Sequence, residues 1–451
     1  MKERRIYILS LGCPKNMVDS EVMAATLSEN GFRIVSQPEH AHIILINTCA
    51  FILPAKEESI EAILRLAEWK KTGEGMCAYL VVVGCLPQRY GKILEAEMPE
   101  VDLFLGTSEI PHIARHLERL VYAKTIIENP ANITTPVFLM NANHSRLLST
   151  PFYSAYLKIA EGCSNLCSYC VIPSIRGKTR SRPIDDIMKE AENLTDKGVK
   201  EIIIIAQDTT AYGTDLKGKP TLEKLLKELA SIDKIAWIRL LYAYPRSLNS
   251  SLLQTIADEE KICSYIDIPV QHIDDNILAA MNRRGGSKSI KKTIATARAM
   301  IPLVALRTSV IVGFPGESRK EFNKLLAFIQ ESRFDHLGVF TYSREEGTAA
   351  ADLPAQVSEK TKERRKILLI EAQASISFEI NQNLIGSFQS VLVEGKSDMP
   401  NFPFVGRCSR QSPDIDGVTY INGRNLATGS LITCRITSAN EYDLFSENIN
   451  V

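Results

Sequence analysis

Strand-length apolar runs and helix-length amphipathic runs alternate through the first third of this 451-residue chain. The strand-like runs lack a regular apolar–polar alternation, which is typical of strands buried on both faces of a parallel sheet. The predicted strands are residues 5–11, 42–47, 78–83 and 101–105, with helices predicted at 19–29 and 57–71. Since parallel strands are joined by right-handed helical crossovers, this region is predicted to be an open parallel sheet.

A second region of alternation fills the middle of the chain. Its six predicted strands are residues 155–159, 201–206, 236–242, 264–268, 305–312 and 336–341. Helical patterns lie between them at 184–196, 222–232 and 320–331. Six strand–helix units are fewer than the eight of a closed barrel. The middle region is therefore predicted to be a partial, open (β/α)6 barrel, with its functional site at the carboxyl ends of the strands.

The remaining segments divide the chain into domains. Residues 121–150 show little periodicity and contain Pro, Asn and Ser, which indicates a connector. A helical pattern at 358–382 leads to short strands broken by Gly and Pro, which is typical of a small all-β barrel. The predicted domains are residues 1–145, 146–383 and 384–451. The predicted fold class is α/β with a small all-β domain at the carboxyl end.

The composition argues against several classes of protein. Fifty-three basic and 53 acidic side chains give a formal net charge of zero, which argues against broad electrostatic capture of nucleic acid. Ten dispersed cysteines do not resemble the disulfide framework of a small secreted protein. The apolar run at 6–11 is shorter than a signal core, and no aliphatic run is long enough to span a bilayer. A cytoplasmic protein with no membrane partner is predicted.

Three cysteines follow the first predicted strand of the central barrel. Cys163, Cys167 and Cys170 form a C-x3-C-x2-C array, with no fourth cysteine nearby. Thiolates suit zinc or iron–sulfur centres, and three of them leave one iron of a four-iron cluster open to a small molecule. A structural zinc site is the alternative, but such sites usually have four ligands, and no histidine lies between Glu161 and His272. The spacing therefore favours an open iron–sulfur cluster.

A second set of cysteines follows three strands of the amino-terminal sheet. Cys13, Cys49 and Cys85 are separated by two intervals of 36 residues, one strand–helix unit each. Because the carboxyl ends of parallel strands share one edge, these thiols are predicted to form a second metal site there. The alternative for each thiol alone is a small buried hydrophobe. Cys77 precedes its strand and is predicted to be a structural residue at the opposite edge.

Other polar residues follow the strands of the central barrel. The candidates at this rim are residues 207–209, 242–244, 271–272 and 313–317. Residues 313–317 form a glycine-rich turn that lets the backbone approach a ligand, although a Pro-Gly turn before a helix explains the pattern equally well. His272 alone is more often a packed imidazole than a ligand. Residues 176–182 form a basic loop, for which a solvated surface is expected and an anion site is the alternative.

Residues 161–173, with Arg176 and Gly177 after them, resemble the signature of the radical S-adenosylmethionine (SAM) methylthiotransferases. That family also has three cluster-binding cysteines in an amino-terminal domain and a carboxyl-terminal TRAM domain, so the resemblance spans the whole chain. It implies two 4Fe-4S clusters, with SAM as both radical source and methyl donor. We call the two ligand sets the radical triad (Cys163, Cys167 and Cys170) and the auxiliary triad (Cys13, Cys49 and Cys85).

The resemblance also implies cofactor-binding residues outside the triads. Tyr169 matches an aromatic residue that lies near SAM in the family, and Gly313 and Glu317 belong to a turn that contacts it. Ser309 departs from the family pattern, in which the corresponding strand motif often starts with glycine. No residue is assigned as a catalytic acid or base, because an unactivated C–H bond is not acidic enough for general-base chemistry.

Residues 10–21, which read SLGCPKNMVDSE, resemble one branch of this family. Its members methylthiolate the β-carbon of an aspartate in small-subunit ribosomal protein S-twelve. The branch that modifies tRNA usually reads Tyr-Gly-Cys-Gln-Met-Asn at this place. Residues 206–213, 240–245 and 412–417 resemble the same branch as residues 10–21. The implied partners are ribosomal protein S-twelve and an electron donor such as flavodoxin or ferredoxin.

The charge of the carboxyl-terminal segment bears on the substrate. Residues 386–451 contain five basic and seven acidic side chains, a net charge of −2 that disfavours phosphate and favours a basic protein. A tRNA partner is therefore not expected, and methylthiolation of a modified adenosine in tRNA is the alternative activity. An alternative from another class is a metal-stabilised RNA-binding or assembly protein, which would contain zinc and would not turn over SAM.

Overall fold

The computed structural model describes residues 4–72, 75–122 and 131–449. The amino-terminal part is an all-parallel sheet with strand order β2-β1-β3-β4-β5-β6. Its elements are β1 (Arg4–Ser10), α1 (Pro14–Glu29), β2 (Phe32–Ile34), β3 (Ile43–Thr48), α2 (Leu53–Lys71), β4 (Tyr79–Gly84), α3 (Cys85–Glu97), β5 (Leu103–Leu105), α4 (Ile113–Tyr122) and β6 (Ala131–Asn132). The predicted open sheet is confirmed. The edge strands β2 and β6 were not predicted because runs of two or three residues carry too little periodicity.

Helix α1 begins five residues earlier than the sequence pattern predicts, at Pro14. Proline suits the first helical position because its φ is already helical and its missing N–H has no partner to lose there. Cys13 is consequently the residue that caps this helix, and Lys15 and Asn16 lie in its first turn. The start of the helix thus places polar side chains next to a predicted metal ligand.

The central part is an open, all-parallel sheet of six strands in the order β14-β13-β12-β11-β10-β7. Its elements are β7 (Ser154–Lys158), β8 (Ala160–Glu161), α5 (Ile172–Arg176), β9 (Arg180–Ser181), α6 (Ile184–Asp196), β10 (Glu201–Ile205), α7 (Leu222–Ala230), β11 (Trp237–Leu240), α8 (Ser250–Asp258), β12 (Ile262–Asp267), α9 (Asp275–Ala280), α10 (Gly286–Met300), β13 (Ala305–Val312), α11 (Arg319–Ser332), β14 (His336–Thr341) and α12 (Glu359–Gln382). The six strands confirm the partial barrel, and β8 and β9 form a separate hairpin.

A closed five-stranded barrel follows α12, as predicted. Its strands are β15 (Phe388–Lys396), β16 (Phe404–Cys408), β17 (Thr419–Asn422), β18 (Leu431–Ala439) and β19 (Leu444–Asn448), in the order β15-β16-β17-β19-β18. Its own small core includes Val391, Ile421 and Ile436. A larger cluster of buried side chains joins all three parts, since it contains Leu45 from β3, Ile203 from β10 and Leu392 from β15. None of the helices in the described ranges is both long and apolar enough for a membrane span.

A buried ion-pair cluster fixes the β-barrel to the central sheet. Arg407 on β16 donates to Oε2 of Glu201 on β10 at 2.6 Å, and Arg239 on β11 donates to Oε1 of Glu201 at 3.0 Å. Burial would raise the pKa of Glu201, but the charges of Arg407 and Arg239 outweigh it and lower the pKa to about 2. The Glu201 carboxylate therefore stays ionised in the interior and depends on its two cationic partners.

Replacing Arg407 with methionine should destabilise the protein by about 3–5 kcal/mol, because it leaves Glu201 short of a partner in a buried site. Arg424→Met is the matched control, since Arg424 lies exposed on the same barrel and such a change should cost no more than about 0.5 kcal/mol. Urea unfolding at equal iron content measures both. The stabilising contribution of Glu201 should be present above about pH 4.3 and decline as the pH falls towards about 2. Equal unfolding midpoints for the two variants would contradict the assignment.

Candidate active site

The auxiliary triad lies at one edge of the amino-terminal sheet. Ser10, Asn47 and Val83 form one row across β1, β3 and β4. Cys13, Cys49 and Cys85 each follow this row by two or three residues. Cys13 is exposed, whereas Cys49 and Cys85 are buried. The register therefore brings the three predicted strand ends together, as the equal sequence intervals indicated.

Close packing between loops fixes the position of these cysteines. Gly12 has a φ of +89°, and a Cβ at this position would lie 2.7 Å from the Cβ of Cys49, so only glycine fits without displacement. The side-chain amide of Asn16 donates to the carbonyls of Leu11 at 3.0 Å and Thr48 at 2.8 Å. These contacts tie the loop that carries Cys13 to the loop that carries Cys49.

The radical triad lies in a loop that neighbouring elements hold at several points. Gly162 precedes Cys163 with a φ of +79°, and a side chain there would collide with the carbonyl of Lys178. The Cys163 N–H donates to the carbonyl of Gly177 at 3.0 Å, and the Ser168 N–H donates to that of Met281 at 3.0 Å. The loop is thus held by the segment before β9 on one side and by the end of α9 on the other.

Tyr169 packs beside the glycine-rich turn. Its ring contacts a small buried cluster that includes Phe314, Tyr342 and Met281. Phe314 and Tyr342 meet edge to face, with ring centroids 5.3 Å apart. Burial raises the pKa of Tyr169 well above its ordinary value, so the phenol stays protonated. The structure therefore brings Tyr169 of the radical-triad loop next to the turn that contains Gly313.

Glu317 holds the glycine-rich turn from inside the protein. Its Oε2 accepts the Gly313 N–H at 2.8 Å, and its Oε1 accepts from Arg365 on α12 at 2.8 Å. His272 is fully buried, and its Nδ1 accepts the Asp274 N–H at 3.0 Å. The Nε2 of His272 is 3.5 Å from Glu317 Oε2 and has no hydrogen-bond partner among the described residues. Glu317 thus fixes the shape of the turn.

A buried network connects the two triads across the boundary between the amino-terminal sheet and the central barrel. Lys158 on β7 binds Asp19 on α1 at 2.5 Å and Glu161 on β8 at 2.7 Å. Arg176 binds Asp19 at 2.6 Å, and its other terminal nitrogen lies 3.4 Å from Cys85 Sγ. All four charged residues are 3% exposed or less. We call Asp19, Lys158, Glu161 and Arg176 the bridging network.

The expectation that residues 176–182 form a solvated loop is wrong for two of its arginines. Arg176 is 3% exposed and belongs to the bridging network, and Arg182 is fully buried against Glu190 and Asp186. The partner of Arg176, Asp19, lies on a distant segment, so its pairing has no local signal in the sequence. The partners of Arg182 lie on α6, the helix that follows the loop, where acidic residues look like part of a solvated helix face. Lys158 lies in a strand that was predicted to be buried, and this lysine was the feature of the sequence that could have indicated a buried ion pair.

Lys15 lies in the first turn of α1, beside Cys13. Its Nζ is 3.1 Å from the centroid of the Tyr242 ring, which belongs to the rim of the central barrel. Burial lowers the pKa of Lys15 to about 8, against the opposing influence of Cys13, Asp267 and Glu161. Nothing in the sequence singles out Lys15, since the lysine of a loop is usually solvated. The structure makes it a second point of contact between the auxiliary triad and the barrel rim.

The thiols suit iron–sulfur clusters better than zinc. Burial, together with the other thiols of its triad, raises the pKa of Cys49 to about 12, and the same holds for Cys170. Three such thiolates need a positive centre to coexist. Each triad offers three thiols, one fewer than the four ligands that usually close a structural zinc site. A four-iron cluster takes one thiolate per iron, so three thiols hold three of its irons and leave the fourth open.

Family models match three successive parts of the chain. Residues 5–106 match the model described as "Uncharacterized protein family UPF0004", residues 157–329 match "Radical SAM superfamily" and residues 385–449 match "TRAM domain". Among solved structures, the radical S-adenosylmethionine methyltransferase TsrM from Kitasatospora setae has a TM-score of 0.54 at 12% identity, covering 88% of this chain and 82% of that one. The cobalamin-dependent S-adenosylmethionine radical enzyme OxsB has a TM-score of 0.51 at 10% identity, covering 82% of this chain and 56% of that one. These likenesses concern the fold alone.

Two curated relatives cover the chain from end to end. The protein named "Ribosomal protein uS12 methylthiotransferase RimO" from Syntrophus aciditrophicus is 62% identical over 452 residues, covering 100% of this chain and 99% of that protein. The protein of the same name from Geobacter sulfurreducens is 50% identical over 448 residues, covering 99% of each. Full-length identity at this level is far above the fold-only likeness to the solved structures.

The central barrel is open and parallel, and its first strand leads into three cysteines. Together with the family match over that barrel, these features define a radical SAM enzyme. The chain belongs to the ribosomal protein uS12 methylthiotransferase RimO family. The predicted family, fold class and methylthiotransferase activity are confirmed, as is the use of iron–sulfur clusters and SAM. The tRNA-modifying alternative is not favoured. Which residues hold each cofactor stays a prediction.

Proposed function

We propose that this chain adds a methylthio group to the β-carbon of an aspartate in ribosomal protein uS12, at a site between the two cysteine triads. The observation that carries the proposal is the position of Arg176. This residue follows the radical triad in sequence, and its guanidinium contacts both Asp19 and Cys85 of the amino-terminal sheet. Sulfur insertion requires that a radical source and a sulfur source face the same carbon, and Arg176 supports such a juxtaposition.

The two triads are the proposed cluster ligands. When bound, a cluster on Cys163, Cys167 and Cys170 with SAM would supply homolytic cleavage of the sulfonium, and a cluster on Cys13, Cys49 and Cys85 would supply sulfur. The chain itself holds the two ligand sets in a fixed relation. The Lys158 ammonium binds one carboxylate from α1 and one from β8, the strand that leads into the radical triad. Neither sheet can therefore shift without breaking a buried ion pair.

Tyr169, Gly313 and Glu317 are the proposed residues on the SAM side of the site. The packing of Tyr169 against Phe314, the neighbour of Gly313, supports a common site for the loop and the turn. The contacts of Glu317 with the Gly313 N–H and with Arg365 support a role in shaping that turn. We assign Glu317 as a positioning residue within this SAM site.

The β-barrel supports a protein substrate over RNA. Two of its five basic residues form ion pairs with the central part of the chain, Arg407 with Glu201 on β10 and Arg410 with Asp335 just before β14. Two of its seven acidic residues are also paired, Asp416 with Arg307 and Glu394 with Arg407. Three basic and five acidic side chains of the barrel stand outside these ion pairs. A surface of this sign repels phosphate and attracts a basic protein such as a ribosomal protein.

Other predictions extend this function. The proposed domains are residues 1–145, 146–383 and 384–451, and the proposed electron donor is a flavodoxin or ferredoxin. Because the proposed substrate is a ribosomal protein, the proposed location of the enzyme is the cytoplasm. The location and the electron donor follow from the proposed reaction, and exchanging flavodoxin for ferredoxin in the assay below tests the donor directly.

The proposed function is tested by an anaerobic assay with SAM, a reductant and a peptide containing the acceptor aspartate of uS12. Mass spectrometry should locate a methylthio group on that aspartate. Ribosomal protein and tRNA from a deletion strain provide the second readout, in which only the ribosomal protein should lose its modification. Loss from tRNA alone would overturn the proposal in favour of adenosine methylthiolation.

A further inference from the structure

Lys15 differs from the other buried lysines among the described residues. Lys158 binds two carboxylates, and Lys362 binds Glu359 at 2.7 Å. Lys15 is only 6% exposed, yet no carboxylate in the described part of the chain lies within ion-pair distance of its Nζ. Its Nζ lies 3.1 Å from the centroid of the Tyr242 ring, and Cys13 is the strongest of the negative groups that act on it. A largely buried ammonium with no carboxylate in ion-pair contact is costly, and a cation–π contact lessens this cost without neutralising the charge.

Tyr242, whose ring contacts the Lys15 ammonium, has a strained backbone. Tyr242 has a φ of +62°, in the left-handed region that a bulky side chain rarely adopts and that costs about 1–3 kcal/mol. Its backbone is held there from both sides, since its N–H donates to Asp267 at 3.0 Å and its carbonyl accepts from the Thr209 N–H at 3.1 Å. The fold therefore holds the Tyr242 backbone in a conformation that a tyrosine rarely adopts. This conformation places the ring against the Lys15 ammonium.

Lys15 lies close to the auxiliary triad and to the rim of the central barrel. The residue is two positions from Cys13 of the auxiliary triad, and Glu161 and Arg176 of the bridging network are among the charges that act on it. Tyr242 follows β11 at the rim of the central barrel, the edge that also carries the radical triad. The unpaired ammonium thus lies between the auxiliary triad and the barrel rim.

We propose that the Lys15 ammonium binds the side-chain carboxylate of the acceptor residue and so positions the carbon next to that carboxylate between the two triads. The proposal rests on the proposed function and deepens it, because it names the group that selects an acidic acceptor. A neutral amide or a nucleobase would leave the buried ammonium without its counter-charge. The carboxylate of SAM is the other source of the same chemistry, and the experiment below separates the two.

The test compares wild-type holoenzyme, Lys15→Met and Lys15→Arg, each reconstituted anaerobically. Fluorescence anisotropy measures binding of two uS12 peptides that differ only by Asp or Asn at the acceptor position. Wild type should bind the Asp peptide about tenfold or more tightly than the Asn peptide, the value of a charge-assisted contact. Lys15→Met should abolish this preference, Lys15→Arg should keep part of it, and SAM affinity and the EPR signals of both clusters should be unchanged.

Lys224→Met is the matched control, because Lys224 lies exposed on α7 and should leave the preference intact. A Lys15→Met enzyme that still prefers the Asp peptide would overturn the role of Lys15. Weakened SAM binding with an intact peptide preference would assign the ammonium to SAM and would overturn it equally. Failure of the proposed function looks different, since wild type itself would then leave the Asp peptide unmodified and bind both peptides equally.

Discussion

Replacing Cys163, Cys167 and Cys170 together with alanine should abolish formation of 5′-deoxyadenosine from SAM. These thiols are the ligands available in the loop that follows β7 and β8, and no other cysteine lies in that loop. About four of about eight irons per chain should be lost, with those of the auxiliary triad retained. Iron analysis, EPR and chromatography of the nucleoside product measure the three quantities on one anaerobic preparation.

Cys77→Ala is the control for loss of a buried thiol. Cys77 lies before β4, at the edge of the sheet opposite the auxiliary triad, and its Sγ is 3.5 Å from the Tyr79 carbonyl. This variant should keep both clusters and full SAM cleavage. Continued production of 5′-deoxyadenosine by the triple variant would refute the radical triad. A stoichiometric zinc content in oxygen-free wild type would remove the cluster assignment altogether.

Burying the charged side chains of the bridging network costs folding free energy. We attribute this cost to the need to hold the two triads in a fixed relation. Four charged side chains are buried at the boundary of two sheets, and apolar residues of similar size often give equal or greater stability in such places. Paired charges differ from apolar residues in that they have one correct geometry. Arg176, for example, satisfies Asp19 and reaches Cys85 only if the amino-terminal sheet sits in this position on the barrel. The network therefore specifies the relative placement of the triads.

The sequence predicts those features of the fold that repeat. Strands β13 and β14 and helix α6 begin and end at the predicted residues, because long apolar strands and amphipathic helices carry strong periodicity. The two triads were likewise accessible, since cysteine spacing and the alternation of strands and helices together indicate which edge the thiols share. Edge strands and the start of α1 were missed or misplaced, because a two-residue strand or a proline at a helix start has no periodic signal.

Contacts between distant segments account for what the sequence leaves open in the site. Arg176 looks solvated until Asp19, which lies far away in the chain, is placed beside it. Lys15 looks like an ordinary loop lysine until α1 is found to begin at Pro14 and Tyr242 is found to lie over it in a left-handed conformation. Pairing across domains has no local pattern, so periodicity and spacing cannot reveal it.

Replacing Cys13, Cys49 and Cys85 together with alanine should leave SAM cleavage in place and stop methylthiolation. The radical-triad loop is held by contacts to residues 177, 178 and 281, none of which involves these cysteines. Arg176 loses one contact, with Cys85, but retains Asp19 and Asn16, so the relation between the two sheets should survive. About four irons per chain should remain, and 5′-deoxyadenosine should still form.

The decisive observation is that 5′-deoxyadenosine still forms while the methylthiolated peptide does not. This result distinguishes a source of sulfur from a structural metal site. A purely structural second site would lower nucleoside formation and peptide modification together, through a less stable fold. Equal urea midpoints for the triple variant and Cys77→Ala, both measured after removal of iron, would show that the amino-terminal sheet tolerates the substitutions. Retained methylthiolation would instead place the sulfur source elsewhere and would remove the auxiliary triad from the reaction.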